Sequence, residues 1–151
     1  MNYMFRSCSN LQEIDISKLN TKNVKSMKAM FAGCFSLDEL NLTNINFSNV
    51  VDSTYMIYDT NIRRLDLSDF SGSSNEWMNK MLKYNPNLKY INLLNYQGKN
   101  IFNNIFNKLD VDENITICNY NEKIEDVINK LIMNHHILSN LQNRKRYPYG
   151  N

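Results

Sequence analysis

Apolar positions return along this chain with a period of 25 or 26 residues. Met4-Phe5 is followed by Met30-Phe31, Met56-Ile57 and Met81-Leu82, at steps of 26, 26 and 25 residues. After Met4 the apolar positions are Leu11, Ile14, Ile16 and Leu19; after Met30 they are Leu37, Leu40, Leu42 and Ile45. Met81 is followed in the same register by Leu88, Ile91, Leu93 and Tyr96. The Met56 unit has lost one residue early and carries Ile62, Leu65, Leu67 and Phe70. A weaker fifth unit, anchored at Ile105, carries Ile115, Ile117 and Tyr120. Self-similarity at one period marks a repeat architecture, in which no unit buries its apolar face alone and stacked neighbours share a core.

Two periods alternate inside each unit. The apolar-polar-apolar core has the period of 2 of a short strand with one buried face. It predicts parallel strands centred on residues 14–16, 40–42, 65–67, 91–93 and 115–117, adjacent in chain order. The segment around each Met has a different spacing. Trp77, Met78, Met81 and Leu82 fall at i, i+1, i+4 and i+5, as do Ile101, Phe102, Ile105 and Phe106, and Val24, Met27, Met30 and Phe31 form a looser version. That spacing predicts one face of a short helix. The expected fold is an α/β repeat solenoid, with a ladder of short parallel strands on one side and short helices on the other.

Beyond the fifth unit the pattern changes. Asn119 or Asn121 is placed to cap a helix, with Glu122 and Glu125 in its first turn. Ile124, Val127, Ile128, Leu131, Ile132, Leu138 and Leu141 then keep mostly i, i+3, i+4 spacing, and Pro148 with Gly150 ends the run. The expected organisation is a solenoid over 1–118, a capping helix over 119–146 and a tail over 147–151. The first anchor lies three residues from the start with no equivalent cap, which reads as a truncated product or the C-terminal end of a longer array.

Composition narrows the classes. With 42% apolar and 11% aromatic residues in 151, the chain is too apolar for disorder. A formal net charge of +2 gives no sign of a nucleic-acid binder. Asn is the unusual residue, at 27 positions. Three cysteines without a CxxC do not make a disulfide framework. No apolar run approaches the length of a bilayer span, and MNYMFRSCSNLQE holds no apolar signal-peptide stretch.

Candidate chemistry is sparse. No phosphate-binding Gly loop, nucleophile elbow or zinc-ligand spacing occurs, so no enzyme activity, metal or cofactor is expected. Adjacent His135 and His136 diverge on a helix and do not share a metal as an i, i+4 pair does. Cys8 and Cys34 share one repeat position and read as small buried residues, while Cys118 has no partner in register. The basic-aromatic run RKRYPY at 144–149 reads as a solvated tail. Asn41-Leu42-Thr43, Asn46-Phe47-Ser48 and Asn114-Ile115-Thr116 are formal glycosylation sequons.

The strings MFRSCSNLQEIDISKLNTKNVKSMKAMF and MFAGCFSLDELNLTNINFSNV, with LDLSDF at 65–70, resemble a known repeat. It is the MFxxCxxLxxLDLSxFxTxxVxxMxxMF unit of BspA-like leucine-rich-repeat surface proteins. The resemblance covers residues 4–106 and implies a leucine-rich-repeat solenoid, display at the cell surface or secretion, adhesion, and no catalytic residues. Without a signal peptide in view, a cytoplasmic protein is the alternative. The chain departs from the pattern where Cys becomes Thr60 and Asn85 and where MF becomes Met56-Ile57 and Met81-Leu82; against the commonest leucine-rich repeats, apolar Leu19, Ile45, Phe70 and Tyr96 replace an Asn.

Side chains between the buried strand residues form columns on the opposite face. Asp15, Asn41, Asp66 and Asn92 make the central column, and Glu13, Glu39, Arg64 and Tyr90 flank it on one side. Ser17, Thr43, Ser68 and Leu94 flank the other. The expectation is a non-catalytic module, monomeric or part of a longer chain, that binds a protein or glycan through this face. The alternative is a structural spacer with no ligand of its own.

Overall fold

The computed structural model describes residues 1–68, 80–93 and 116–118. Four three-residue strands, β1 (Glu39–Asn41), β2 (Arg64–Asp66), β3 (Tyr90–Asn92) and β4 (Thr116–Cys118), form one parallel sheet in chain order. Their register is that of the repeat: Leu40 pairs with Leu65, Leu65 with Ile91, and Ile91 with Ile117. These four side chains are buried and stack as one row of the core. Leu42, Leu67 and Leu93 make a second buried row. Phe47 and Val50 complete the core from a segment to which the strand pattern assigned no role.

The first unit departs from expectation. Residues 14–16 form no strand, although Ile16 is buried and Ile14 packs against the core. A strand there would set Glu13 beside Glu39 and repel it, whereas Glu39 faces Arg64 across β1 and β2. β1 is accordingly the first strand of the sheet. β1, β2 and β3 lie one residue before the expected 40–42, 65–67 and 91–93, and the last strand one residue after the expected 115–117.

The Met segments are the larger correction. Among the described residues there is no α-helix; residues 2–7 and 28–33 are successive turns, and only Lys80 has 3₁₀ geometry. The hydrogen bonds give the reason. Alternate N–H groups bond locally, as Arg6 to Tyr3 and Cys8 to Phe5 at 3.2 Å each. The others reach the next coil: Tyr3 to Lys28 O at 2.9 Å, Phe5 to Met30 O at 2.8 Å and Ser7 to Ala32 O at 2.7 Å. Ala29, Phe31 and Gly33 repeat this toward Thr54, Met56 and Tyr58, and Ile57 and Asp59 toward Met81 and Lys83. An α-helix uses its N–H groups internally; here half of them bind a neighbouring coil. Left-handed residues turn the chain at fixed places, at Tyr3 and Ser7, Ala29 and Gly33, Tyr55 and Asp59, and Tyr84. Buried Met30, Met56 and Met81 and stacked Phe5 and Phe31, with ring centroids 5.3 Å apart, line the inner side of these turns.

The described residues thus form a stack of coils tied by two parallel ladders, one of strands and one of turns. The helical segments expected beyond Lys80, over 101–106 and over 119–146, lie outside the described residues, as do Phe70 and Tyr96.

The change from Cys to Thr60 and Asn85 keeps a function of that position. Cys34 Sγ donates to Phe5 O of the preceding coil at 3.0 Å. Asn85 Nδ2 does the same to Ile57 O at 2.7 Å and also to Leu82 O at 2.8 Å. Thr60 donates its hydroxyl to Asn85 Oδ1. All three side chains are buried donors that tie one coil to another, so Cys34 is more than a small apolar filler.

Candidate partner-binding face

The strand face is where the expected site residues meet, because parallel pairing in repeat register puts equivalent side chains in line. Glu39, Arg64, Tyr90 and Thr116 follow one another across the sheet, as do Asn41, Asp66 and Asn92. A cavity of about 240 Å³ opens on this face, lined by Glu13, Glu39, Asn41, Arg64 and Asp66 over a floor of Ile14, Leu40 and Leu65.

The central column is occupied by turn-forming bonds. Asp15 Oδ1 accepts from Ser17 N at 2.8 Å, Asn41 Oδ1 from Thr43 N at 2.9 Å, and Asp66 Oδ1 from Ser68 N at 2.9 Å. The hydroxyls of Thr43 and Ser68 bond the same oxygens at 2.7 and 2.5 Å. Each is an Asx turn, and those at Asn41 and Asp66 end β1 and β2. Hydrogen bonds from the Ser17 side chain and N–H hold the Asp15 carboxyl below its ordinary range. The column also bonds along itself, Asn92 Nδ2 donating to Asp66 Oδ2 at 2.9 Å. Asn92 was expected to face outward, yet it is buried, with 5% of its surface exposed. The sequon residues Asn41 and Asn46 are exposed, and both accept from the N–H and hydroxyl two residues on. Asn114 lies outside the described residues.

The flanking column is where side chains remain available. Tyr90 is 38% exposed, and the Arg64 guanidinium lies over its ring at 4.9 Å. Arg64 Nη1 is 3.7 Å from Glu39 Oε1, a loose pair, and its Nε is buried with no hydrogen-bond partner among the described residues. The neighbouring Arg63 is committed differently. Its Nη2 donates to Asp38 Oδ2 at 2.6 Å while its Nε donates to Oδ1, and this pairing holds the Asp38 carboxyl below its ordinary range. The chain therefore presents two adjacent arginines of different kinds, one tied to the coil before it and one resting on an aromatic ring. Neither the Arg63–Asp38 pair nor the stacking of Arg64 on Tyr90 was read from the sequence. The signal was there, since Asp38 precedes Arg63 by one repeat step and Arg64 precedes Tyr90 by another.

Among the described residues no cluster of His, Cys, Asp and Glu is suited to hold a metal ion, and no helix is long and apolar enough to cross a membrane. His135, His136 and the run at 144–149 lie outside the described residues.

Fold and face together define a protein of stacked, parallel repeat coils. The chain belongs to the family described as Mycoplasma protein of unknown function, DUF285, which matches over residues 1–96. No curated protein and no solved structure matches it.

Proposed function

We propose that this chain is a non-catalytic interaction module, a BspA-like leucine-rich-repeat array displayed at a cell surface, that binds a protein or glycan through the strand face. One observation carries the reading: Arg64 and Tyr90 stand side by side on a rigid parallel ladder, with the Arg64 Nε unpartnered beside an open cavity. Arg and Tyr are the side chains that most often anchor an interface, each joining a large contact area to a polar group. The resemblance of the Met-Phe repeat to surface adhesins supplies the partner class.

A second reading, a structural spacer, draws support from the central column. Asp15, Asn41, Asp66 and Asn92 are held in turn and ladder bonds, so their presence serves the coil whether or not a ligand binds. The two readings separate in one experiment. Purified protein is tested against immobilised extracellular-matrix proteins and a glycan array, beside Arg64→Ala/Tyr90→Ala and the turn-side control Lys28→Ala/Lys80→Ala. The binding reading expects the control to bind as the parent does and the Arg64/Tyr90 variant to lose binding with an unchanged melting midpoint. Loss in the control alone places the partner on the turn side, and no binding by the parent leaves the spacer.

A further inference from the structure

Three tyrosines run across two coils on the turn side. Tyr55 meets Tyr58 with ring centroids 4.9 Å apart, and Tyr58 meets Tyr84 of the next coil at 5.3 Å, both edge to face. Lys80 Nζ lies over the Tyr55 ring at 5.7 Å, and Lys83 Nζ over the Tyr84 ring at 4.6 Å. The turn itself does not call for these rings. Tyr84 stands three residues after Met81, and the equivalent places after Met4, Met30 and Met56 hold Ser7, Gly33 and Asp59. All four have left-handed φ, from 55° to 73°, a region that a bulky side chain enters at a cost. Tyr55 is left-handed too, at 59°, where the coil before it has Ala29. Backbone strain accepted for a large side chain points to a use for that side chain.

Contact, more than exposure, separates this group from the other described tyrosines. Tyr84 is 43% exposed, as Tyr3 (45%) and Tyr90 (38%) are, so a dissolved oxidant reaches all three. Among the described residues, only Tyr84 of these three has a second tyrosine ring against it. An electron withdrawn from Tyr84 is replaced from the touching ring of Tyr58, and a second withdrawal leaves a radical on each. Neighbouring tyrosyl radicals join at the ring carbons ortho to the hydroxyls. An exposed side chain changes rotamer within nanoseconds, so the edge-to-face packing does not bar the Tyr84 ring from that approach.

We propose that Tyr58 and Tyr84 form an oxidative coupling site that ties two successive coils covalently, with hydrogen peroxide as the electron acceptor. Each phenol gives up one electron and one proton, and one carbon–carbon bond forms between the rings. The hydrogens on the joined carbons return to the phenol oxygens, and the peroxide takes the two electrons and two protons to become two waters. Backbone bonds already join these coils beside the pair, from Ile57 N–H to Met81 O at 3.0 Å and from Asp59 N–H to Lys83 O at 3.1 Å. A covalent link here makes one nearest-neighbour interface of the stack permanent, and it constrains the unfolded chain as a disulfide does. The site lies on the turn side and does not depend on the strand-face reading.

The experiment uses the full chain carrying Tyr96→Phe, Tyr120→Phe, Tyr147→Phe and Tyr149→Phe, dilute enough to suppress links between molecules. It is treated with hydrogen peroxide and a haem peptide small enough to reach the surface, then digested for mass spectrometry. The expected product is a monomer lighter by two hydrogen atoms, with bityrosine fluorescence and a linked pair of peptides that holds Tyr58 and Tyr84. Its melting midpoint should rise by several degrees. Tyr84→Phe should melt as the parent does before oxidation and lose the product, whereas Tyr55→Phe should keep it. Absence of a link within the chain overturns the proposal, as does a link formed only between Tyr55 and Tyr58. Modification spread over Tyr3, Tyr84 and Tyr90 in step with exposure, without the linked pair, also overturns it, because contact then selects nothing. A linked product that melts no higher than the parent overturns the tie between coils.

Discussion

At the scale of single residues, neighbouring positions on one strand do different work. Leu65 lies in the middle of the buried row between Leu40 and Ile91, and Leu65→Ala should cost about 2–5 kcal/mol through lost burial and the cavity left behind. Asn41 is exposed, and a reading from exposure alone makes Asn41→Ala nearly neutral. Its Oδ1 however receives both the N–H and the hydroxyl of Thr43, so the substitution should cost about 1 kcal/mol. Asn41→Asp, which keeps the acceptor, should restore most of that loss in denaturant melts. The carboxylates add a pH dependence with a definite sign. The Arg63 hydrogen bond and the Ser17 bonds hold Asp38 and Asp15 below the ordinary value of 3.8, so the folded state prefers them ionised. Their contribution is complete above that value and is lost as pH falls through the lowered folded values. Thermal melts from pH 7 downward should hold level through these groups until about pH 4 and then fall, and Asp38→Asn should flatten part of the fall. The pair is largely exposed, so the effect is small.

At the scale of the element, the strand was legible and the turn was not. Leu-x-Leu alternation found β1, β2 and β3 to within one residue because a half-buried strand needs that period and little else. The Met segments carry a helix-like spacing because two consecutive turns also return side chains to one side. What decides between helix and turns is where the N–H groups go, and that depends on a neighbouring coil 25 residues away. The Asx turns are legible as D/N-x-S/T triplets at 15–17, 41–43 and 66–68, although alternation alone makes their first residues only a solvent-facing column. Gly33 tests the turn ladder directly. Its φ of +73° lies in the left-handed region, while a Cβ there would meet Ser7 atoms only at 3.5–3.7 Å, ordinary contact distances. Gly33→Ala should therefore cost about 1 kcal/mol from backbone strain without a steric clash. Ala29 has a φ of 50° in the preceding turn, and Ala29→Gly should be close to neutral, since relief of strain is offset by a more flexible unfolded chain. A loss of several kcal/mol in Gly33→Ala would mean that the ladder tolerates no side chain there, contrary to the contact distances.

At the scale of the whole molecule, stability in a stack of coils comes from each coil and its interfaces, so a coil with one neighbour is held less firmly than a coil with two. The Met4 coil forms no strand, leaves Met4 and Cys8 exposed, and makes its hydrogen bonds to the stack on one side only. The Met30 coil is covered on both sides, with Met30, Phe31, Cys34 and Leu37 all at most 1% exposed. Hydrogen exchange should therefore open the molecule from this end. The N–H groups of Tyr3, Phe5 and Ser7 should exchange before those of Ala29, Phe31 and Gly33, although the two sets make hydrogen bonds of similar length, 2.7–2.9 Å against 2.8–3.0 Å. The order comes from the exposure of Met4 and Tyr3 and not from weaker bonds, since local opening follows the number of buried contacts that must be broken. Met4→Ala should change the exchange of the Met30 coil little, while Phe31→Ala, which removes a buried ring stacked on Phe5, should accelerate both coils together. If the two coils exchange at one rate in the unmodified protein, the stack opens as a single cooperative unit, and the Met4 coil is tied to it more tightly than its exposure allows.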